Sequence, residues 1–249
     1  MATRFEMFRD LHVPGDPLIL FNVWDAGSAA SVAKAGAKAI ATGSASVAAA
    51  NGFGDGEEVT MAFALANAER IVRAVEVPVT VDFEGGYAAD PGLVAANVAL
   101  LAATGAIGCN FEDQIVGGGG LWPADEHCER LKAARSAVGD AFFINARTDI
   151  FLQAKADAHD AAAADAAIER ANAYADAGAS GFFIPGLGDL ELVERIAKAS
   201  PIPVNAMWLP GGPSNAQWAS AGIARISHGP FPQMALMKTL EEMARAALI

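Results

Sequence analysis

The chain has 249 residues, of which 53% are hydrophobic and 18% charged, and its formal net charge is −12. This composition supports a large buried core and excludes an intrinsically disordered chain. The negative charge argues against a nucleic-acid partner, because binding phosphates requires clusters of Lys and Arg. The first residues form neither a basic nor an apolar segment, and no apolar run is long enough to cross a bilayer. We therefore expect a cytoplasmic protein without a membrane anchor.

Eight short segments rich in β-branched or aromatic residues recur along the chain, and each is followed by a segment of helical length. The predicted strands are Leu18–Trp24, Ala37–Gly43, Pro78–Glu84, Ile107–Asp113, Ala141–Thr148, Ser180–Pro185, Pro203–Leu209 and Arg225–Gly229. Eight strand–helix units with nearly continuous apolar strands are typical of a parallel sheet that closes into a barrel. We predict a single (β/α)8 TIM barrel domain over residues 1–249. An open, doubly wound sheet is disfavoured, because no glycine-rich phosphate turn follows the first strand.

Residues that begin and end helices separate the predicted strands. Thr60 precedes an alanine-rich segment, and Asp90 is followed by Pro91, which is a favourable N-cap and first helical position. Four glycines follow predicted helices where a left-handed C-terminal residue is needed. They are Gly36, Gly105, Gly178 and Gly222. The helix boundaries thus agree with the eight-unit interpretation.

Polar residues cluster at the carboxyl ends of the third, fourth and fifth predicted strands, where barrels of this kind carry their chemistry. They are Asp82, Glu84, Glu112, Asp113, Asn145, Arg147 and Asp149. Strand side chains alternate between faces, so Asp82 and Glu84 should share the face that points into the barrel. The same alternation pairs Asn110 with Glu112 and Asn145 with Arg147. Three neighbouring strands are thus predicted to form one acidic pocket that contains an arginine.

Clustered carboxylates repel one another unless a cation neutralises them, and oxygen-only ligands favour Mg²⁺ or Mn²⁺. Because Mg²⁺ keeps several waters, one or two direct carboxylates would suffice. The alternative is that these charges merely end strands and that Arg147 forms a structural ion pair with Asp149 or Glu112. An arginine held in that way can still grip a substrate carboxylate through two hydrogen bonds. The small residues Gly43–Ser46 could bind a carboxylate through their backbone, or simply fit a tight turn.

Several of these segments together carry a family resemblance. They are Trp24–Ala26, Thr42–Val47, Gly52–Asp55, Val81–Tyr87, Asn110–Gln114, Asn145–Asp149 and Pro185–Leu187. In their order and spacing, over nearly the whole chain from Leu18 to Pro230, they resemble the isocitrate lyase/phosphoenolpyruvate mutase superfamily, and in particular its phosphonomutase-like members. This resemblance implies a Mg²⁺-dependent barrel, with Mn²⁺ as an alternative metal, that acts on 2-oxo acids and 2-hydroxy carboxylates.

The resemblance also implies roles for individual residues. Asp82, Glu84 and Glu112 look like the metal-site carboxylates, and Arg147, Asp55 and Glu112 look like the catalytic group. Substrate binding would fall to Trp24, Gly43, Ser44, Ala45, Asp82, Arg147 and Gly186. Members of the superfamily commonly form homo-oligomers that exchange their last helix. We therefore expect a tetramer or dimer in which residues 231–248 are exchanged between subunits.

One segment departs from the family pattern. The superfamily's lyases carry a loop of the type Lys-Lys-Cys-Gly-His after the fourth strand, whose cysteine acts as acid or base. The corresponding loop here, Ile115–Pro123, has four consecutive glycines but neither cysteine nor lysine. Cys128 lies beyond it and is not assigned that role. This loop weighs against isocitrate and 2-methylisocitrate cleavage and predicts a flexible lid over the site.

The reaction that these inferences favour is C–C bond cleavage of a small 2-oxo acid or related dicarboxylate, oxaloacetate-like, through a metal-bound enolate. Three alternatives stay open: C–P bond chemistry on phosphonopyruvate or phosphoenolpyruvate, a metal-dependent 2-oxo-acid aldolase, and a non-catalytic barrel that binds 2-oxo acids. His228 and Tyr87 are further polar residues near the expected mouth of the barrel. Each could equally have a purely structural role.

Overall fold

The computed structural model describes residues 2–248. Eight strands form one parallel sheet: β1 Leu18–Leu20, β2 Ile40–Ala41, β3 Val79–Asp82, β4 Gly108–Glu112, β5 Phe143–Arg147, β6 Gly181–Ile184, β7 Val204–Met207 and β8 Arg225–Ser227. Their spatial order is β1-β8-β7-β6-β5-β4-β3-β2. A parallel bridge between Val23 and Thr42 joins the segments that follow β1 and β2. The sheet therefore closes on itself, and the predicted (β/α)8 barrel is confirmed.

Each observed strand lies inside a predicted one, but the predicted ends extend too far. β3 stops at Asp82, and Glu84 adopts a positive φ of 49°, outside the extended region. The expectation that Glu84 alternates with Asp82 along one strand is therefore wrong. Glu84 belongs to a turn, and it reaches the neighbourhood of Asp82 by a different path.

The described residues form eleven α-helices and one short 3-10 helix, Ala156–Ala158. The α-helices are α1 Arg4–Asp10, α2 Ala26–Lys34, α3 Ser44–Ala50, α4 Met61–Ala74, α5 Pro91–Ala103, α6 Ala124–Val138, α7 Ile150–Gln153, α8 Ala161–Asp176, α9 Leu190–Ala199, α10 Asn215–Ser220 and α11 Phe231–Ala247. The predicted caps are confirmed: Thr60 accepts a hydrogen bond from Phe63 N at 3.3 Å, and Asp90 accepts one from Leu93 N at 3.0 Å. The four predicted C-terminal glycines all have positive φ.

The main hydrophobic core lies between the strands and the surrounding helices. The inside of the barrel, by contrast, holds a polar network. Asn145 Nδ2 donates to Asn110 Oδ1 at 2.9 Å, and Arg225 Nη2 donates to the same oxygen at 3.1 Å. Burial lowers the pKa of Arg225 to about 9. At the amino end, α1 places Phe8 in a buried position, with its ring centre 6.0 Å from the Arg225 guanidinium carbon.

The last helix, α11, buries only Pro232 and Gln233. Large apolar side chains along the rest of it are exposed, including Met234 at 56%, Leu240 at 55% and Met243 at 65%. Apart from the contact between Phe231 and Trp208 at its start, this apolar surface of α11 is not covered by other residues of the range 2–248. None of the helices within residues 2–248 combines the length and apolar character needed to cross a membrane.

Candidate active site

A cavity of about 180 Å³ opens at the carboxyl ends of the strands. Its lining comprises Asn22, Gly43, Ser44, Ala45, Asp55, Asp82, Asn110, Arg147, Leu152, Phe183, Pro185, Met207, Ser227, Gly229 and Pro230. Six residues that the resemblance predicts for the site are among them: Gly43, Ser44, Ala45, Asp55, Asp82 and Arg147. The structure thus brings together residues that are more than 100 positions apart in the chain. A concave space lined by converging polar groups at this end of a barrel is the expected location of an active site.

Asp82 ends β3 with both carboxylate oxygens held by neighbouring strands and turns. Ser44 donates to Oδ2 through its backbone N at 3.1 Å and through its hydroxyl at 3.0 Å. Asn110 on β4 donates to Oδ1 at 3.3 Å, and the Asp82 N donates to Thr42 Oγ1 at 2.9 Å. Because α3 begins at Ser44, its first backbone amides are not used inside the helix and are free to meet an anion. The Asp82 carboxylate therefore has a fixed orientation at the floor of the cavity.

Arg147 ends β5 and is held between two carboxylates. Its Nε and Nη2 donate to Asp149 at 2.6 and 2.8 Å, and its Nη1 lies 2.7 Å from Glu112 Oε2. Burial lowers the pKa of Arg147, but the negative charges of Glu112 and Asp149 outweigh this effect and raise the pKa above its usual value. A guanidinium has five N–H donors, so two remain to bind a ligand in the cavity. The structural ion pairs considered for Arg147 are both present, and its role in substrate binding stays a prediction.

Glu84 lies in the turn after β3, where it accepts a hydrogen bond from Glu57 N at 2.7 Å. In return, the Glu57 carboxylate accepts one from Tyr87 N at 2.8 Å. A smaller cavity of about 20 Å³ is lined by both Asp82 and Glu84. Burial first, and then the charge of Asp82, raise the pKa of Glu84 to about 7. The two carboxylates thus share one small space, as expected, although the turn and not the strand brings them together.

Asp55 lies on the loop between α3 and α4 and faces the main cavity. Burial raises the pKa of Asp55, and the negative charge of Asp82 raises it further. The hydroxyl of Ser44 and the charge of Arg147 act in the opposite direction. A carboxyl group whose pKa is raised next to a cavity is well suited to exchange a proton with a ligand.

Asp113 lies behind the site, fully buried, and fixes the segment after β5. It accepts hydrogen bonds from Asp149 N at 3.0 Å, from Arg170 at 2.9 Å and from the Tyr174 hydroxyl at 2.8 Å. Asp149 is thereby held in place to grip Arg147. The sequence offered no signal for Arg170 or Tyr174, since both lie on α8, more than 50 residues beyond Asp113.

The carboxylate oxygens of the site are suitable ligands for Mg²⁺, but three carboxylates are not already arranged around one metal position. Within residues 2–248, no group of three His, Cys, Asp or Glu side chains is arranged so that it could hold a metal ion. Glu112 is instead paired with Arg147, and burial raises its pKa. Asp82 lines both cavities, and a small hard cation bound mainly through water needs only one or two such oxygens. The roles of Glu84 and Glu112 as metal ligands stay predictions.

Three other candidates, Trp24, Gly186 and His228, lie outside the cavity lining, as does Cys128. The Trp24 backbone carbonyl accepts a hydrogen bond from Asn67 at 2.9 Å, and Gly186 forms a turn with φ of 91° after β6. His228 stacks on Trp208, with ring centres 5.3 Å apart, and burial lowers its pKa. Cys128 is buried on α6, where its thiol donates to Ala173 O at 3.4 Å. For Trp24 and Gly186, substrate contact stays a prediction.

One wall of the cavity is apolar and was not predicted. It is formed by Leu152, Phe183, Pro185, Met207 and Pro230. Phe183 and Met207 lie at or beside the last residue of β6 and β7. Their position could have been inferred from the strand ends, but apolar residues there carry no chemical signal that separates a cavity wall from the core.

The fold and site together define a class: a barrel enzyme whose carboxyl-end cavity combines one fixed arginine with several buried carboxylates. Residues 8–248 match the phosphoenolpyruvate phosphomutase family, and the chain belongs to this family within the isocitrate lyase/phosphoenolpyruvate mutase superfamily. Superfamily members are lyases and mutases, and the chain is an enzyme of this kind. The resemblance seen in the sequence is therefore confirmed.

Three similar proteins show how far the likeness extends. The solved structure of a provisionally named phosphonomutase from Burkholderia cenocepacia J2315 is 50% identical, with a TM-score of 0.95 and 98% coverage of both chains. The 2-methylisocitrate lyase of Escherichia coli is 29% identical over 79% of this chain and 70% of the lyase. A phosphonopyruvate hydrolase solved with oxalate and Mg²⁺ is 20% identical, with a TM-score of 0.85, over 98% of this chain and 87% of the hydrolase. At that identity, the hydrolase shares the fold alone.

Proposed function

We propose that the protein is a Mg²⁺-dependent enzyme that cleaves a C–C bond in a small, oxaloacetate-like 2-oxo acid or related dicarboxylate. The observation that carries this proposal is the cavity in which Arg147, held by Glu112 and Asp149, and Asp82, held by Ser44 and Asn110, line the same space. It thus offers a cationic site for a carboxylate and an acidic site for a divalent cation. The phosphonopyruvate hydrolase of the same fold was solved with a divalent cation and a small dicarboxylate, which are the two classes of ligand proposed here.

The residues of the chain supply binding, orientation and proton exchange. The two free donors of Arg147 would fix the substrate carboxylate, and the Gly43–Ala45 backbone would approach its other end closely because it bears small side chains. Asp55 faces the same space with a raised pKa, so it can hold or release a proton there. When bound, Mg²⁺ would polarise the keto oxygen and stabilise the negative charge that develops as the C–C bond breaks.

The function is tested by measuring turnover of oxaloacetate with Mg²⁺ and with EDTA. We expect Mg²⁺-dependent turnover that Asp82→Asn reduces at least about a hundredfold, because the neutral amide removes the oriented charge at the cavity floor. Asp140→Asn, at an exposed position, is the matched control, and the rate without protein gives the background. Unchanged turnover in Asp82→Asn, or equal rates with Mg²⁺ and EDTA, would contradict the proposal.

C–P bond chemistry on phosphonopyruvate is the second candidate. It is favoured by the family match and by the 50% identity to the Burkholderia protein. Release of phosphate from phosphonopyruvate, or its conversion to phosphoenolpyruvate, at a rate above that with oxaloacetate would select it. Pyruvate supplied with aldehydes tests the aldolase alternative in the same assay. Ligand binding without any turnover would indicate a non-catalytic barrel.

We also propose that α11 is exchanged between subunits. A groove of about 650 Å³ lies on the outside of the barrel beside β1, and it is lined by apolar residues such as Val13, Leu18, Phe21 and Val32. Phe21 is 46% exposed there, and the apolar residues of α11 are also exposed. In a symmetric oligomer, the apolar face of α11 from one subunit could pack into this groove of another subunit, and each subunit would then both give and receive the helix.

A further inference from the structure

The turn that carries Glu84 has an unfavourable backbone conformation. Glu84 and Tyr87 have φ values of 49° and 57°, and Gly86 lies between them at 78°. Residues other than glycine rarely adopt this left-handed backbone conformation, because their Cβ then crowds the following carbonyl oxygen. Such a turn persists only when surrounding contacts hold it. The position of the Glu84 carboxylate therefore depends on residues outside the turn.

Arg130 on α6 supplies these contacts. Its Nη2 donates to Gly85 O at 2.5 Å and to Ala88 O at 2.9 Å, so that one guanidinium group binds both sides of the turn. Arg130 itself is only 2% exposed. Its guanidinium carbon lies 4.9 Å from the ring centre of Phe111 and 4.8 Å from that of Trp122. These aromatic contacts hold the guanidinium in one plane and direct it at the turn.

Two further residues link Arg130 to the site. Burial lowers the pKa of His127, so its imidazole is neutral, and its Nδ1 accepts a hydrogen bond from Arg130 Nη1 at 3.2 Å. Glu57 is bonded to the same turn at two points, through Tyr87 N and through the Glu84 carboxylate. Burial raises the pKa of Glu57, and the positive charge of Arg130 partly opposes that rise. The turn is thus held from α6 on one side and from the Glu57 loop on the other.

We propose that Arg130 is a positioning residue for the metal site, which holds the turn 84–88 in its strained conformation and thereby keeps the Glu84 carboxylate beside Asp82. This inference rests on the proposed function, because it concerns the same Mg²⁺ site. Arg130 does not line either cavity next to Asp82. Its direct hydrogen bonds to the turn go to the backbone oxygens of residues 85 and 88.

The chain contains a matched control for this role. Arg135, five residues further along α6, also donates to backbone carbonyls, those of Gly178 at 2.9 Å and Phe142 at 2.8 Å. These carbonyls precede β6 and β5, at the amino end of the barrel and away from the cavity. Arg130→Lys and Arg135→Lys both remove hydrogen bonds from α6 to backbone carbonyls, but only Arg130 contacts the turn that carries Glu84.

The experiment measures Mg²⁺ affinity by calorimetry and, without metal, hydrogen exchange of the amides of residues 84–88. Loss of residues that orient metal ligands typically weakens metal binding about 10- to 100-fold. We expect Arg130→Lys to fall in this range and to speed up exchange in the turn, whereas Arg135→Lys should stay within about twofold in affinity. Arg130→Gln serves if the lysine variant does not fold, since it leaves no unpaired buried charge.

The outcomes separate the two proposals. If the unaltered protein binds no Mg²⁺ at millimolar concentration, the proposed function fails, and with it the metal-site role of Arg130. If the unaltered protein binds Mg²⁺ and Arg130→Lys binds it within twofold, only the positioning role is overturned. Equal weakening in Arg135→Lys would also overturn it, because the effect would then be a general loosening of α6.

Discussion

Glu84 is a buried carboxyl group whose ionisation is unfavourable in the folded, metal-free protein. Its pKa is about 7, against 4.5 for an unperturbed side chain. The folded state therefore holds the proton more tightly than the unfolded state does. Well below pH 4.5, Glu84 is protonated in both states, so its ionisation does not reduce stability. As the pH rises from 4.5 to 7, Glu84 ionises in the unfolded state while it stays largely protonated in the folded state. This stabilises the unfolded state, so the free energy of unfolding falls.

The size of this effect follows from the difference of 2.5 between the two pKa values. At 1.36 kcal/mol for each unit, the loss above pH 7 is about 3 kcal/mol. Glu84→Gln keeps an oxygen that accepts from Glu57 N but cannot ionise. We expect the variant to equal the unaltered protein at pH 4.5 and to exceed it by about 3 kcal/mol at pH 8.

Urea denaturation in EDTA at several pH values measures this difference. Asp55 and Glu57 also have raised pKa values, so the comparison with Glu84→Gln is needed to isolate Glu84. Glu126→Gln, at an exposed position of α6, is the control. Saturating Mg²⁺ should remove most of the difference, because a bound cation stabilises the ionised form. Parallel stability curves for the unaltered protein and Glu84→Gln would refute the reasoning.

Two further variants test other parts of the molecule. Arg147→Lys should lower kcat/KM for the acid substrate about a hundredfold, because a point charge cannot replace the two-point contact with a carboxylate; unchanged steady-state kinetics would remove Arg147 from the site. Deletion of residues 231–248, and separately Leu240→Glu on the exposed face of α11, should lower the particle mass in light scattering, because both variants would dissociate the oligomer that we propose. An unaltered particle mass in both variants would argue against helix exchange.

The sequence predicted much of the fold because its signals are local. The apolar runs located all eight strands, and Thr60, Asp90 and the four terminal glycines placed helix ends correctly. The strand ends were less accurate, because periodicity does not reveal where a residue such as Glu84 leaves the extended region. At the site, Asp82 and Arg147 were found through their positions at strand ends. Arg130 was missed, because a buried arginine on an outer helix has no sequence pattern that separates it from a solvated one.

The pairing of Glu112 is a second feature of the site that the sequence did not specify. Alternation along neighbouring strands predicted that Glu112 would face the barrel, but it could not show which cation Glu112 would meet. In the structure that cation is Arg147, at 2.7 Å. Partner choice among buried charges depends on side-chain geometry across strands, and a single sequence does not specify it.

The glycine-rich loop after β4, which we predict to be a lid, has a backbone that is costly to order. Gly117, Gly119 and Gly120 have positive φ, and no atom lies within 4 Å of the place that a side chain would occupy. Within this loop, Ile115 N donates to Gly120 O at 3.0 Å. Glycine loses more conformational freedom on ordering than any other residue. If the loop closes over a bound molecule as predicted, its ordering would consume part of the binding free energy, and an acid too small to contact the loop would leave the cavity open to water.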